Sequence, residues 1–349
     1  MTPAEARALF PVLDRCAYLN AGTTGPLSRA THRAMAGWHE RALLDGRGRQ
    51  AYFTEGGELR GRVLERLAGL LSVPADRMLM TGSTTEGCNL VITGLRLRLE
   101  DEVVTTDAEH PGLEQPLRAS GATVRVVPVL GRTADEVVEA VSAAVTPRTR
   151  LVAVSHVLYL NGQVLPVAEI RRTTGVPLLV DGAQSVGAIP VDAGVADFYT
   201  VSGQKWLCGP QLTGALYVAD PERLRPQVAG FQAGYGEGAA RLQISHHDPS
   251  ALAGLLTAIE ERPAWALSRA AEMTGRCRDV LLAAGLEVHT PPGQATLLAF
   301  SGHDGPNAAL ARCLERDVII RPLPTGWLRA SCGWWTTDED LVRLVNAVR

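Results

Sequence analysis

The sequence predicts an α/β protein: a mainly parallel sheet with helices on both faces, plus a smaller C-terminal α+β domain. Two observations carry that reading. From Met78 to Val218, short apolar runs alternate with stretches of helical periodicity, the pattern of successive βαβ units. Several runs, Pro177-Leu178-Leu179-Val180 among them, are apolar throughout. That fits strands buried on both faces of a sheet.

The elements follow in order. Leu59, Val63, Leu67, Leu70 and Leu71 recur at helical spacing with Arg60, Arg62, Glu65 and Arg66 between them, an amphipathic helix. Met78-Leu79-Met80 is a short strand. It meets Thr81-Gly82-Ser83-Thr84-Thr85-Glu86, a loop that opens a helix through Asn89-Leu90-Val91-Ile92. Strands are predicted at 103–105 and 124–128 around a break at Pro111, then a helix over 133–144. A strand at 151–155, a helix at 166–172 and a strand at 176–180 ending at Asp181 come next. Two last runs, 198–201 and 214–218, bracket Lys205. A glycine-rich stretch, 230–238, separates these from a second αβ block running from about Ala264 to Arg349. The predicted division is a large domain over 16–235 and a small domain over 236–349 together with 1–15.

Composition narrows the function classes. The chain has 349 residues, 46% apolar and 20% charged, a globular balance with ample core. Its 34 basic and 37 acidic residues give a net charge of -3 with no basic block, which argues against nucleic acid and membrane surfaces as partners. No apolar stretch has the length of a membrane-spanning helix. The charged, amphipathic start is unlike a signal peptide. Six scattered cysteines without a CxxC pair predict reduced thiols, a cytoplasmic location and no structural zinc.

The basic residues are unusual. Lys205 is the only lysine, so 33 of the 34 are arginine. Either side chain serves a solvated surface charge, but only lysine can shed its proton to become a nucleophilic amine. The lone lysine is either a survivor of codon bias or a residue arginine cannot replace. It follows Gln204, so there is no P-loop GxxxxGK.

In parallel sheets ligands bind beyond the carboxyl ends of the strands, where polar residues collect here. Ser83-Thr84-Thr85 follows one strand and opens a helix, which suits a phosphate or plain N-capping. Glu109-His110-Pro111 follows the next. Ser155-His156 ends another, and Asp181 closes the fully apolar run. An acid at the mouth of a buried strand needs a cationic partner or a cap. Ser202-Gly203-Gln204-Lys205-Trp206 follows the 198–201 strand. A phosphate cradle, an acid, an imidazole and a lysine form one coherent set. Pyridoxal phosphate (PLP) needs a lysine for its Schiff base, an acid opposite its pyridine nitrogen and a phosphate site.

With those residues in view, the chain resembles the class V aminotransferases of PLP fold type I, in the branch of cysteine desulfurases, selenocysteine lyases and isopenicillin N epimerase-like enzymes. The resemblance runs from Tyr18-Leu19-Asn20-Ala21-Gly22 to Arg329-Ala330-Ser331 and Thr336-Thr337-Asp338-Glu339. It is strongest over Leu178–Gln184, Asp197-Phe198-Tyr199 and Ser202-Gly203-Gln204-Lys205-Trp206-Leu207. It implies that Lys205 carries the cofactor and Asp181 pairs with its pyridine nitrogen. Gln184 would hydrogen-bond the pyridoxal oxygen and His110 would stack on the ring. Thr84, Thr85 and Ser202 would hold the phosphate, and Arg329 would clamp the substrate carboxylate. It also implies a homodimer and a small amino-acid substrate.

Four departures stand out. Gln204 replaces the family's histidine beside the lysine, leaving a phosphate donor that carries no charge. Tyr159 replaces an asparagine near the pyridoxal oxygen, with Asn161 two places on. His247-Asp248-Pro249 lies where a partner-subunit Gly-Thr-Pro contact is usual. The reactive cysteine of desulfurases is missing: residues 320–328 run without one into Arg329. Cys88, Cys208 and Cys332 read as small buried hydrophobes. The expected activity is therefore a desulfurase-like β-elimination (C–S) lyase lacking the persulfide cysteine, with aminotransferase and epimerase as alternatives. More distant readings are a serine hydrolase, from Ala183-Gln184-Ser185-Val186-Gly187, one residue short of GxSxG, and a catalytically silent binding protein.

Overall fold

The computed structural model describes residues 1–226 and 228–349. Its strands are β1 (Ala17–Tyr18), β2 (Met78–Thr81), β3 (Glu102–Thr106), β4 (Thr123–Val127), β5 (Thr149–Ser155), β6 (Leu178–Asp181), β7 (Phe198–Ser202), β8 (Gly214–Val218), β9 (Glu287–Val288), β10 (Leu297–Ser301), β11 (Val318–Ile319), β12 (Arg321–Pro322) and β13 (Leu328–Ser331). Seven form one sheet in the order β2-β8-β7-β6-β5-β3-β4. The pairs β3–β4, β3–β5, β5–β6 and β6–β7 are parallel. β8 runs antiparallel to both β2 and β7. β2 therefore points the same way as β7, and the carboxyl ends of β2, β3, β5, β6 and β7 share one edge.

Alternation along the strands divides the core into two layers. Leu178, Val180, Val152 and Val154 pack against the helices Gln50–Leu71, Ala134–Ala144 and Val167–Thr174. Leu179, Leu151, Ala153 and Phe198 face Thr84–Gly94 and Pro111–Ala119. A fully buried apolar side chain contributes roughly 1.5–3 kcal/mol, which explains why β6 carries no polar residue before Asp181. The helix Pro249–Glu261 also joins the first layer, through Leu252, Leu255 and Leu256.

Most boundaries differ slightly from those the sequence predicts, and at two of them a proline is the reason. The strand expected at 176–180 occupies 178–181, because Pro177 has no N–H and gives only its carbonyl, to Val152 N at 2.9 Å. The helix expected from Pro166 begins at Val167, with Pro166 as its N-cap. β4 lies at the sheet edge, and Val126 is exposed there.

A four-stranded antiparallel sheet, β12-β13-β10-β9, carries the C-terminal part. Helices Ala266–Ala283 and Asp338–Val348 cover it through Met273, Cys277, Leu281, Leu341 and Leu344. β1 pairs in parallel with β11, and Ser331 N donates to Leu19 O at 2.7 Å. The segment after β1 is thereby held between the two sheets. Phe10 rests against Trp334 and Trp335 with ring centroids 5.4 and 5.5 Å apart. No described helix is long and apolar enough to cross a membrane.

Candidate active site

The polar strand ends converge as the topology requires. Asp181 is the last residue of β6 and is 3% exposed. Its Oδ1 accepts from Ala183 N at 2.9 Å and from the Thr200 hydroxyl at 3.4 Å. β7 ends at Ser202, and the chain turns through Gly203, where a Cβ would fall 2.3 Å from Thr213 Oγ1. The turn delivers Gln204 and Lys205. Gly25 N donates to Gln204 O at 2.8 Å, so the segment after β1 is fastened to this turn. Lys205 keeps one side against an open cavity while its amine is enclosed by protein. Burial, aided by the charges of Arg329 and Arg321, brings that amine down to about 8 against the pull of Asp181.

His110 caps the helix Pro111–Ala119, and its Nδ1 accepts from Gly112 N at 3.0 Å. Burial and the Lys205 charge lower its basicity. The neutral ring with Nδ1 as acceptor carries its proton on Nε2. Its edge meets the Tyr159 ring at 5.1 Å and 85°. Glu109, one residue earlier, accepts from the Thr106 and Ser155 hydroxyls, each at 2.6 Å, and from Ser155 N at 3.0 Å. These bonds pin the His110 loop across β3 and β5. Burial raises the Glu109 carboxyl to about 7.

At the other end of the cavity Ser83 caps Thr84–Gly94 by accepting from Glu86 N at 3.1 Å. Thr84 and Thr85 thus sit in the first turn, with helix N–H groups that have no partner within the helix. Ser202 and Gln204 face them across the cavity. Arg329 lies on β13, 2% exposed. It donates to Tyr159 O at 3.0 Å and to Thr23 Oγ1 at 3.1 Å. Burial brings its pKa to about 10.

Of the residues the sequence singled out, Thr84, Thr85, His110, Tyr159, Ser202, Gln204, Lys205 and Arg329 line this one cavity of about 180 Å³. Asp181 and Gln184 stand behind its wall. The Gln184 amide donates to Gly22 O at 2.8 Å and accepts from the Trp206 indole at 3.0 Å, leaving one N–H free. Asn161 accepts from Gln163 N in its own turn and does not line the cavity. Thr23 and Arg321 line it and were not foreseen. Ser185 is fully buried, its hydroxyl 2.6 Å from that of Tyr199, which separates it from His156. No nucleophile is presented there. All six cysteines are buried, and burial raises the thiols of Cys88 and Cys208.

The chain is similar to known proteins. Residues 19–234 match the family model described as aminotransferase class-V. The isopenicillin N epimerase of Streptomyces clavuligerus is 29% identical over 99% of this chain and 97% of its own length. A probable cysteine desulfurase of Methanothermobacter thermautotrophicus is 35% identical over 62% of this chain and 56% of its own. Among solved structures, the cystine C–S lyase C-DES bound to its product cysteine persulfide superposes with a TM-score of 0.91 at 27% identity, covering 97% of this chain and 98% of that one. A mutant of C-DES holds glycine covalently linked to the PLP cofactor.

Fold and cavity together define a PLP-dependent enzyme. The chain belongs to the aminotransferase class V family.

The cavity fits pyridoxal phosphate on its own terms. It offers a single enclosed amine, a buried acid behind one wall and, at one end, a helix first turn whose Thr84 and Thr85 N–H groups have no partner within the helix. Arg329 Nε and Gln204 Oε1 are buried without a partner, as befits groups awaiting a ligand. The enclosed amine is directly testable. In protein stripped of cofactor and carrying isotope-labelled lysine, one side-chain resonance should titrate near 8. A midpoint near the ordinary lysine value would show that the amine is solvated instead.

Proposed function

We propose that the enzyme is a desulfurase-like C–S lyase, removing a β-sulfur substituent from an amino acid by elimination without a persulfide-forming cysteine. The observation that carries this is the hairpin beside the site. β12 and β13 close over residues 323–327, with Leu323 N donating to Trp327 O at 2.8 Å and Gly326 at φ 82°. The loop contains no cysteine. The likeness to a cystine C–S lyase supports the same reading.

Lys205 would attach the cofactor, with Asp181 toward the ring nitrogen, His110 over the ring, and Thr84, Thr85, Ser202 and Gln204 around the phosphate. Gln184 and Tyr159 would flank the pyridoxal oxygen. When bound, the cofactor supplies an acceptor for the electron pair released as a bond at the substrate α-carbon breaks. Arg329 fixes the substrate α-carboxylate, which orients the α-hydrogen. Lys205 Nζ, freed by the substrate amine and of modest basicity, takes that proton. Either its ammonium or His110 Nε2–H can then protonate the departing sulfur. The Lys205 step serves transamination and epimerisation too, and the near full-length likeness to an epimerase favours the latter as the second reading.

The deciding experiment incubates holoenzyme with cystine, cysteine conjugates and simple amino acids. Elimination gives pyruvate, ammonia and a thiol or persulfide. Amino transfer that requires a keto acid, or racemisation without pyruvate, would overturn the lyase assignment.

The homodimer is also part of this proposal. A groove containing Leu212, His246 and His247 borders Gly82 and Glu86, beside the phosphate end, and Leu212 is exposed on it. Sedimentation should give twice the 37.2 kDa chain mass; a monomer would refute the dimer.

A further inference from the structure

The carboxylate end of the cavity holds more positive charge than one α-carboxylate needs. Arg321 and Arg329 are register partners across β12 and β13. Both line the cavity, and both donate to the same hydroxyl, Thr23 Oγ1, at 3.3 and 3.1 Å. Elsewhere the fold neutralises clustered arginines with carboxylates. Arg171 and Arg223 share Asp197, at 2.7 and 2.8 Å, and Arg125 and Arg148 share Glu102. Among the described residues neither Arg321 nor Arg329 has an acidic partner. Two like charges meeting at one hydroxyl repel each other, and the Arg321 charge adds to burial in weakening Arg329 as a base. An arrangement of that kind is relieved by anions.

The two guanidinium groups are placed for different tasks. Arg329 is buried, its two Nη atoms already engaged by Tyr159 O and Thr23, with Nε still unpaired. Arg321 is exposed at the cavity mouth. Its position is stiffened by Pro322, by the closed 323–327 turn, and by Trp327, which stacks on His289 at 4.2 Å and 15°. An acid group further along a bound amino acid would meet Arg321 without displacing the α-carboxylate from Arg329.

We propose that the substrate is an amino acid bearing a second carboxylate on its side chain, received by Arg321 and the Thr23 hydroxyl at the cavity mouth. This rests on the reading of Arg329 as the α-carboxylate clamp. Under the lyase assignment, the departing sulfur fragment would itself be acidic.

The test is equilibrium binding, which needs no turnover. Calorimetry on holoenzyme compares succinate, glutarate and adipate, each with its own monoamide. At least one diacid should bind about tenfold or more tightly than its monoamide, the scale of a lost hydrogen-bonded charge contact. Arg321→Gln should collapse that ratio toward one, and Arg321→Lys should restore part of it. Equal affinities for every pair in the unmodified enzyme would overturn the proposal. So would an Arg321→Gln variant that weakens diacid and monoamide by the same factor, because Arg321 would then serve only the shared carboxylate or the hairpin. Failure of the cofactor reading would look different: no visible absorbance band reducible by borohydride, whatever the diacid ratio.

Discussion

Lys205→Arg should lose turnover by at least about a thousandfold, the scale on which removing a covalent or proton-transferring group acts. The substitution keeps the positive charge and much of the side-chain length, so the fold has little reason to change. What it removes is an amine that can be neutral near pH 8, since a guanidinium does not shed its proton in this range. Two measurements decide the matter. Product formation should vanish, and the absorbance band that borohydride bleaches in the parent should be missing. A variant retaining a tenth of the parent activity would mean that Lys205 is a bystander.

Asp181→Asn should cost about 10²–10³-fold in kcat, as when a preorganised charge facing the reacting system is removed. The isosteric amide keeps the contact to Ala183 N available while deleting the charge. The substitution has a second readout with a definite sign. The Asp181 charge holds the Lys205 amine up, against the burial that lowers it. Its removal should move the Lys205 titration midpoint in cofactor-stripped protein below 8, so that more neutral amine is present at pH 7 while turnover falls. Asp181 is buried and bonded within its own turn, so unfolding by denaturant must be followed in parallel. Loss of kcat with no downward shift at Lys205 would show that the two groups are not coupled.

The strands were legible because burial on both faces leaves a local mark: Leu178, Leu179 and Val180 have no polar neighbour before Asp181. The candidate site was legible where its residues sit at strand ends. Asp181, Ser202 and His110 are found by walking off an apolar run, and Lys205 by counting. Arg321 and Thr23 left no such mark. Arg321 is one arginine among 33, and it enters the site through its register with Arg329, a pairing between two strands of a hairpin. Thr23 belongs through a hydroxyl shared with residues some 300 positions away. Gln184 shows the opposite limit. Its place in the motif marked it as a cofactor contact, but a motif says nothing of a side chain already joined to Gly22 and Trp206. Only folded neighbours reveal what a polar group has left to give.

The near absence of lysine also bears on specificity toward aldehydes in general. Pyridoxal phosphate, like any reactive aldehyde, condenses with whatever neutral amine it meets, and most protein surfaces offer many. This surface offers guanidinium groups, which do not form such linkages at neutral pH. Within this sequence Lys205 is the only lysine, and it lines the cavity. Titration of the protein with the aldehyde should therefore count active sites directly, with little background, and amine-directed labels should report cofactor occupancy rather than surface area.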